Sequence, residues 1–321
     1  MKERGTLVPW LALLTIYVVW GSTYLAIRVA VQEMPPFAAA AVRFLVAGAA
    51  MVGIAAWVDR NRGLPTRRQV LDYSLIGVLF LGGGNGLVMW SEQRIPSGIA
   101  ALMVATVPLW ITLLDGLRPG GQPWTLRVWA GTLLGLFGVY LVARPEGGDW
   151  SSHLSGIVAL QVATLSWTLG TLYSKAVSRP LPVMTAAAVE MLAGAVSLYI
   201  ESAVVGESLS GLWSASGSAW LALVYLIVAG SLIGFTAFGY CLTVFSAGTV
   251  GTYAYVNPVV AVALGALFLD EPLTAGLLVG GVLILGAVLL TTVRPAAVST
   301  ERPATEGKGS NEPLAPSVAD S

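Results

Sequence analysis

From residue 9 to residue 293 the chain is a succession of long apolar stretches parted by short polar links. That pattern leaves it few folds. A helix needs about 20 mainly apolar residues to cross the hydrocarbon of a bilayer. Ten stretches come up to that length: 9–31, 36–58, 70–91, 97–117, 125–143, 154–175, 182–204, 218–240, 247–269 and 273–293. The links hold the punctuation, Pro35-Pro36, Asp59 to Arg68, Pro119 to Pro123, Pro145 to Ser152, Pro180 to Pro182 and Glu207 to Ser216. Hydrocarbon offers the backbone no hydrogen-bond partner, so long apolar stretches must satisfy themselves as helices. Links this short leave no room for a soluble domain. Charged residues make up 11% of the chain, against about 25% in a soluble domain, so lipid is its solvent. The expected class is an all-α membrane protein.

The chain also says much of this twice. Trp20 to Leu45 reads WGSTYLAIRVAVQEMPPFAAAAVRFL, and Trp167 to Leu192 reads WTLGTLYSKAVSRPLPVMTAAAVEML. One gapless offset carries Trp20 to Trp167, Arg28 to Lys175, Pro35 to Pro182 and Arg43 to Glu190. The run Ala39, Ala40, Ala41, Val42 falls on Ala186, Ala187, Ala188, Val189. After a three-residue insertion, Gly98 matches Gly248, Pro108 matches Pro258, and Gly131 matches Gly281. Arg144-Pro145 then matches Arg294-Pro295. Each copy holds five stretches. Five is odd, so the second copy enters the membrane from the opposite face. The expected architecture is therefore ten transmembrane helices in a 5+5 inverted-topology repeat, whose halves can exchange conformations. The expected divisions are a cytoplasmic N-terminus at 1–8, a first five-helix repeat at 9–145, a second at 153–295, and a tail at 296–321.

Lys and Arg set the orientation. The face holding both chain ends and the links after even-numbered stretches carries Lys2, Arg4, Arg60, Arg62, Arg67, Arg68, Arg118, Arg127, Lys175, Arg179, Arg294, Arg302 and Lys308. The other face has Arg94, Arg144 and Arg28. Both termini are thus expected in the cytoplasm, the protein being multi-pass in the cell (inner) membrane. The opening MKERGTLVPW resembles a signal-peptide start, but no small-residue cleavage site stands out, and it reads as the lead into the first span. The Ser/Glu/Pro/Gly-rich tail loses apolar periodicity and is expected to be disordered, either a partner-binding segment or an inert soluble end.

Several blocks carry a resemblance. WGSTYLAIR, the PP turn with AAAVRFLVAG, GNGLVMWSEQRIPSGIAALMVATVPLW and AYVNPVVAVALGALFLDEPLT together resemble the drug/metabolite transporter superfamily, EamA type, over roughly residues 10 to 295. The resemblance implies a ten-helix inner-membrane carrier with a central cavity, many relatives exporting amino acids or other small metabolites. One departure is visible. The acidic residue before the last helix of a copy is present as Glu271 in the second, where the first has PGGQPW.

Ionisable residues inside spans are costly and point to function. Arg43 and Glu190 lie well inside, at equivalent positions near the midplane. They read as a charge pair or two poles of a substrate site, or as a structural ion pair locking two helices. Asn85 stands in GGGNG, where glycines allow close helix approach or a local break, and reads as cavity lining or as packing. Pro108 and Pro258 each remove a backbone hydrogen bond mid-span and are candidate hinges, though such kinks are also ordinary structure. Trp20 with Tyr24, and Tyr253 with Asn257, share faces at i, i+4 spacing. Trp90, Trp167 and Tyr173 join them as candidate cavity aromatics, with membrane-interface anchoring as the alternative. Glu92 and Arg94, at the outer end of the third stretch, suit a gate or an interfacial anchor. The pairs Gly131/Gly135, Gly230/Gly234 and Gly276/Gly280 read as packing faces.

No nucleotide-binding motif, HExxH or GxSxG occurs, and the chain has one His, His153, and one Cys, Cys241. No metal or cofactor site is expected, and zero net charge gives no nucleic-acid signal. The reading is a secondary-active or facilitative carrier for a small molecule, not an enzyme, working by alternating access. A non-transporting scaffold and an intramembrane enzyme are the alternatives. Substrate, direction, coupling ion, and monomer against homodimer stay open.

Overall fold

The computed structural model describes residues 4–117, 123–144, 150–245 and 247–292. Every regular element among them is helical. Eight helices are long and apolar enough to cross a membrane: α1 Leu7–Val31, α2 Pro36–Val58, α3 Arg67–Ser91, α4 Ser97–Asp115, α5 Leu126–Ala143, α6 His153–Ala176, α7 Val183–Val204 and α8 Gly217–Val244. Two shorter apolar helices follow, α9 Tyr253–Phe268 and α10 Ala275–Thr291. The stretch expected to be helical from 247 divides, because a tight turn at Gly251 and Thr252 separates Ala247–Val250 from α9. The tail expected at 296–321 lies outside the described residues.

The core sits where α2 lies along α7. Small side chains allow the approach. Ala38, Ala39 and Ala40 on α2, and Ala187 and Ala188 on α7, are buried, and Phe44, Met51, Met191 and Leu198 fill the space between. A Cβ on Gly48 would meet the Met191 side chain at 3.1 Å. α5 lies along α10 in the same way, and Gly138 and Gly280 each face the other's carbonyl oxygen, at 2.8 and 2.7 Å from the position a Cβ would take. The glycine pair Gly131/Gly135 packs against Ala287, and Gly276/Gly280 against α5. The remaining contacts come in matched sets. α1 packs on α9 and α8, while α6 packs on α4 and α3; α3 crosses α7, while α8 crosses α2.

Helix starts are capped across this same division. A helix leaves its first N–H groups unpaired, and the prolines before α2, α4 and α7 bring no side-chain acceptor. Carboxylates from distant segments supply one. Asp59 accepts from Thr185 N at 3.0 Å and Thr185 Oγ1 at 2.8 Å, at the start of α7. Glu207 accepts from Phe37 N at 3.1 Å and Ala38 N at 2.8 Å, at the start of α2. Glu271 accepts from Ser97 N at 2.8 Å, Ser97 Oγ at 2.9 Å and Gly98 N at 3.2 Å, at the start of α4. Glu33 accepts from Ser216 Oγ at 2.7 Å and Ser216 N at 2.6 Å, and those bonds hold its carboxyl below the usual range. Negative charge at these ends also suits the helix dipole.

Three helices depart from regular α geometry. α3 widens to a π-helix over Val78–Gly86, and α8 does so over Leu226–Ile233. α4 breaks at Ala105 and Thr106, then restarts with Pro108 in its first turn, where a missing N–H costs nothing. Around the bundle, Leu14, Val18, Leu45, Leu133, Val196, Leu221 and Val282 are exposed, as side chains facing lipid must be.

Candidate substrate cavity

A cavity of about 390 Å³ opens between α1, α2, α3, α4, α6, α8 and α9. It draws its walls from both copies of the sequence module. Of the residues singled out in the sequence, Trp20, Tyr24, Arg43, Asn85, Pro108, Trp167, Tyr253, Asn257 and Pro258 line it.

Arg43 is its polar centre. The side chain is buried, with Nε donating to Ser231 Oγ at 3.1 Å and Nη1 to Asn85 Oδ1 at 3.3 Å. The guanidinium carbon lies 4.6 Å from the Phe44 ring centroid. Its two acceptors sit one on each π-widened stretch, Asn85 on α3 and Ser231 on α8. Both are neutral. Arg43 has no ion pair among the described residues, where the pair within 4 Å is Arg68–Asp72 at 3.0 Å.

Aromatic rings flank it. Trp20 Nε1 donates to the Gly230 carbonyl at 3.1 Å, again on the widened turn of α8. Around Trp20 stand Phe235, Phe238 and Tyr253, with centroids 5.7, 5.2 and 5.1 Å away. Opposite, Trp167 stacks on Phe80 at 5.0 Å. The two tryptophans rest on matching glycines: a Cβ on Gly84 would meet Trp167 at 2.9 Å, and one on Gly234 would meet Trp20 at 2.3 Å. With its amide turned to satisfy them, Asn257 donates to Tyr17 O at 3.2 Å and Tyr253 O at 3.1 Å, bracing the contact of α1 with α9.

Three expected cavity residues lie elsewhere. Trp90 follows Asn85 by five residues, about 140° further round a regular helix, and its ring packs under the Arg94 guanidinium at 3.5 Å. Tyr173 is about 120° from Trp167 and donates to Asp72 Oδ1 at 2.8 Å. Glu190 springs from backbone pressed against Gly77 of α3, and its short side chain neither lines the cavity nor meets Arg43. Ser231, Thr164, Phe235 and Phe238 were not singled out in the sequence. Ser231 carried the same signal as Asn85, a small polar residue among glycines in an apolar run. The position matching Glu271 in the first copy lies outside the described residues.

The family model described as EamA-like transporter matches the chain twice, over residues 8–144 and 154–293. An uncharacterised inner membrane transporter of Escherichia coli K12, YedA, is 40% identical, across 91% of this chain and 93% of its own. A probable amino-acid metabolite efflux pump of the same organism is 27% identical, across 88% and 91%. A solved crystal structure superposes with a TM-score of 0.61 at 23% identity, covering 91% of this chain and 97% of that one, which shows the shared fold.

Proposed function

The chain belongs to the EamA-like transporter family, and from that premise we propose that it carries a small organic substrate with an anionic end and an apolar or aromatic body across the inner membrane. One observation carries the substrate class. Arg43 is a buried guanidinium in a cavity wall, and its partners among the described residues, Ser231 and Asn85, leave its charge unbalanced. An uncompensated charge at membrane depth is expensive, and an entering carboxylate relieves that cost through charge-assisted, fork-shaped hydrogen bonds. Trp20, Trp167, Tyr24 and Tyr253 supply flat apolar surface for the rest of the molecule. The efflux pump related to amino-acid metabolites supports a substrate of this kind.

The transport cycle is alternating access in a 5+5 inverted repeat. The matched helix pairings support it, as do the reciprocal caps Asp59 on α7 and Glu207 on α2 and the two tryptophan–glycine contacts. Two half-structures making equivalent contacts give inward- and outward-open states of similar energy. The Lys/Arg distribution supports an orientation with both termini in the cytoplasm.

Binding is read by thermal melting of the purified protein in detergent. L-phenylalanine, which has the carboxylate and the ring, should raise the melting temperature, while L-phenylalaninamide, which lacks the carboxylate, should not. Equal shifts for both compounds would remove the role given to Arg43.

A further inference from the structure

A second ionisable site lies apart from the cavity, where α1, α3 and α9 end and α4 begins. The turn after α3 carries Glu92, whose side chain has no exposed surface, and neither carboxylate oxygen has a hydrogen-bond partner. An ionised carboxylate in that condition loses its hydration and gains nothing. Two charged groups face it. Arg28 of α1 spends its Nη1 on the backbone carbonyls of Glu92 and Ile95 instead of on the carboxylate. Glu271, in the loop after α9, is committed to three donors at the start of α4. From α1, Tyr24 also lies within electrostatic reach, and Asp270 beside Glu271 is exposed. Arg94, in the same turn, turns away to stack on Trp90 and donate to its carbonyl at 2.8 Å. α6 meets the turn through Gly156, and its His153 is bonded to the Ala143 backbone.

The charges therefore do not balance. Arg28 offsets one carboxylate. Glu271 accepts three hydrogen bonds that suit an ion, whereas Glu92 accepts none. We propose that Glu92 is a proton-binding site, occupied when α1, α3, α4 and α9 close this end of the bundle and emptied when it opens to water. Opening would hydrate Glu92 and let the proton leave to that side as a water-borne proton; closing takes one back. Burial, with Glu271 adding to it and Arg28 opposing, holds the Glu92 carboxyl well above its usual range in the closed arrangement. The sign follows. The closed end is favoured below the usual carboxylate range and weakens as pH rises through the raised value. Acid on that face thus holds the end shut, and alkali releases it.

The test needs no substrate, so its failure and that of the carrier reading are separable. Infrared spectra of the purified protein at neutral pH should contain the carbonyl stretch of a protonated carboxylic acid that Glu92→Gln removes, that Glu92→Asp retains at a shifted position, and that titrates away in alkali. Glu271→Gln leaves Arg28 to offset Glu92, so the Glu92 band should weaken at the same pH. A second readout follows closure. In a Cys241→Ser background, Ala101→Cys reports cavity access to an impermeant maleimide added to this face, normalised at each pH to the exposed Ser208→Cys. Its relative labelling should rise several-fold from acid to alkali, and Glu92→Gln should keep it low throughout. An infrared spectrum unchanged by Glu92→Gln overturns the proposal, as does normalised labelling that rises equally with and without Glu92.

Discussion

Replacing Gly77 by alanine tests the packing on which the cavity depends. Gly77 lies where α3 crosses α7, and an added Cβ would stand 2.3 Å from the Glu190 carbonyl oxygen and 2.6 Å from its Cα. Both atoms are backbone, so no rotamer change relieves the clash. Ordinary contact begins at 3.4 Å, so the two helices must part by about 1 Å in an interior packed like an organic crystal. Overpacking of this kind costs about 1–3 kcal/mol, occasionally more. Alanine returns about 1 kcal/mol through helix propensity. Because rigid backbone takes the clash, the upper end of the range applies, for a net loss of about 2 kcal/mol. Gly53 on α2 has nothing within 4 Å of its added Cβ, so Gly53→Ala keeps the propensity gain alone. Melting in one detergent should place Gly53→Ala at or above the parent and Gly77→Ala clearly below it. Equal melting of the two variants would refute the crossing.

Asp59→Ala and Glu207→Ala each remove a carboxylate cap from the other module's helix and should each cost about 1 kcal/mol, the two alike, by melting; a large effect at one and none at the other would break the symmetry. Arg43→Gln removes a charge-assisted bond to the substrate worth about 1.5–3 kcal/mol and should weaken L-phenylalanine binding roughly 10- to 100-fold in a melting titration. Trp20→Phe strands the Gly230 carbonyl, costs about 1 kcal/mol and lowers flux, while Trp90→Phe, off the cavity, transports as the parent does.

What could be read from the sequence was what a single residue type or a long period encodes. Apolar length marked eight membrane-length helices and two shorter ones among the described residues, and the gapless match of Trp20 to Trp167 marked the module, each of those tryptophans meeting a glycine of the other copy. Arg43 was legible since a charge inside a span needs a reason. Of its partners, Asn85 was legible too, as a polar residue among glycines. Ser231 carried a fainter form of that signal, and no sequence period announces the π turn on which it sits. Glu190 misled for the opposite reason: its position matches that of Arg43, but its backbone lies against Gly77 and its shorter side chain does not line the cavity. Trp90 and Tyr173 failed on helical phase: Trp90 follows the stretch where α3 leaves regular geometry, and Tyr173 lies on the far side of the regular α6 from Trp167. Glu92 was visible as an acid near a helix end, yet only the fold shows its oxygens sealed without partners.

The central claim is that a carboxylate-bearing small molecule crosses through the cavity at Arg43. The direct measurement is flux of radiolabelled L-phenylalanine into proteoliposomes preloaded with the unlabelled compound, with L-phenylalaninamide as competitor and Arg43→Gln reconstituted at equal density. The account predicts exchange above protein-free vesicles, no inhibition by the amide, and at least a tenfold loss at subsaturating substrate in Arg43→Gln. Exchange no greater than in protein-free vesicles, or undiminished in Arg43→Gln, would contradict it.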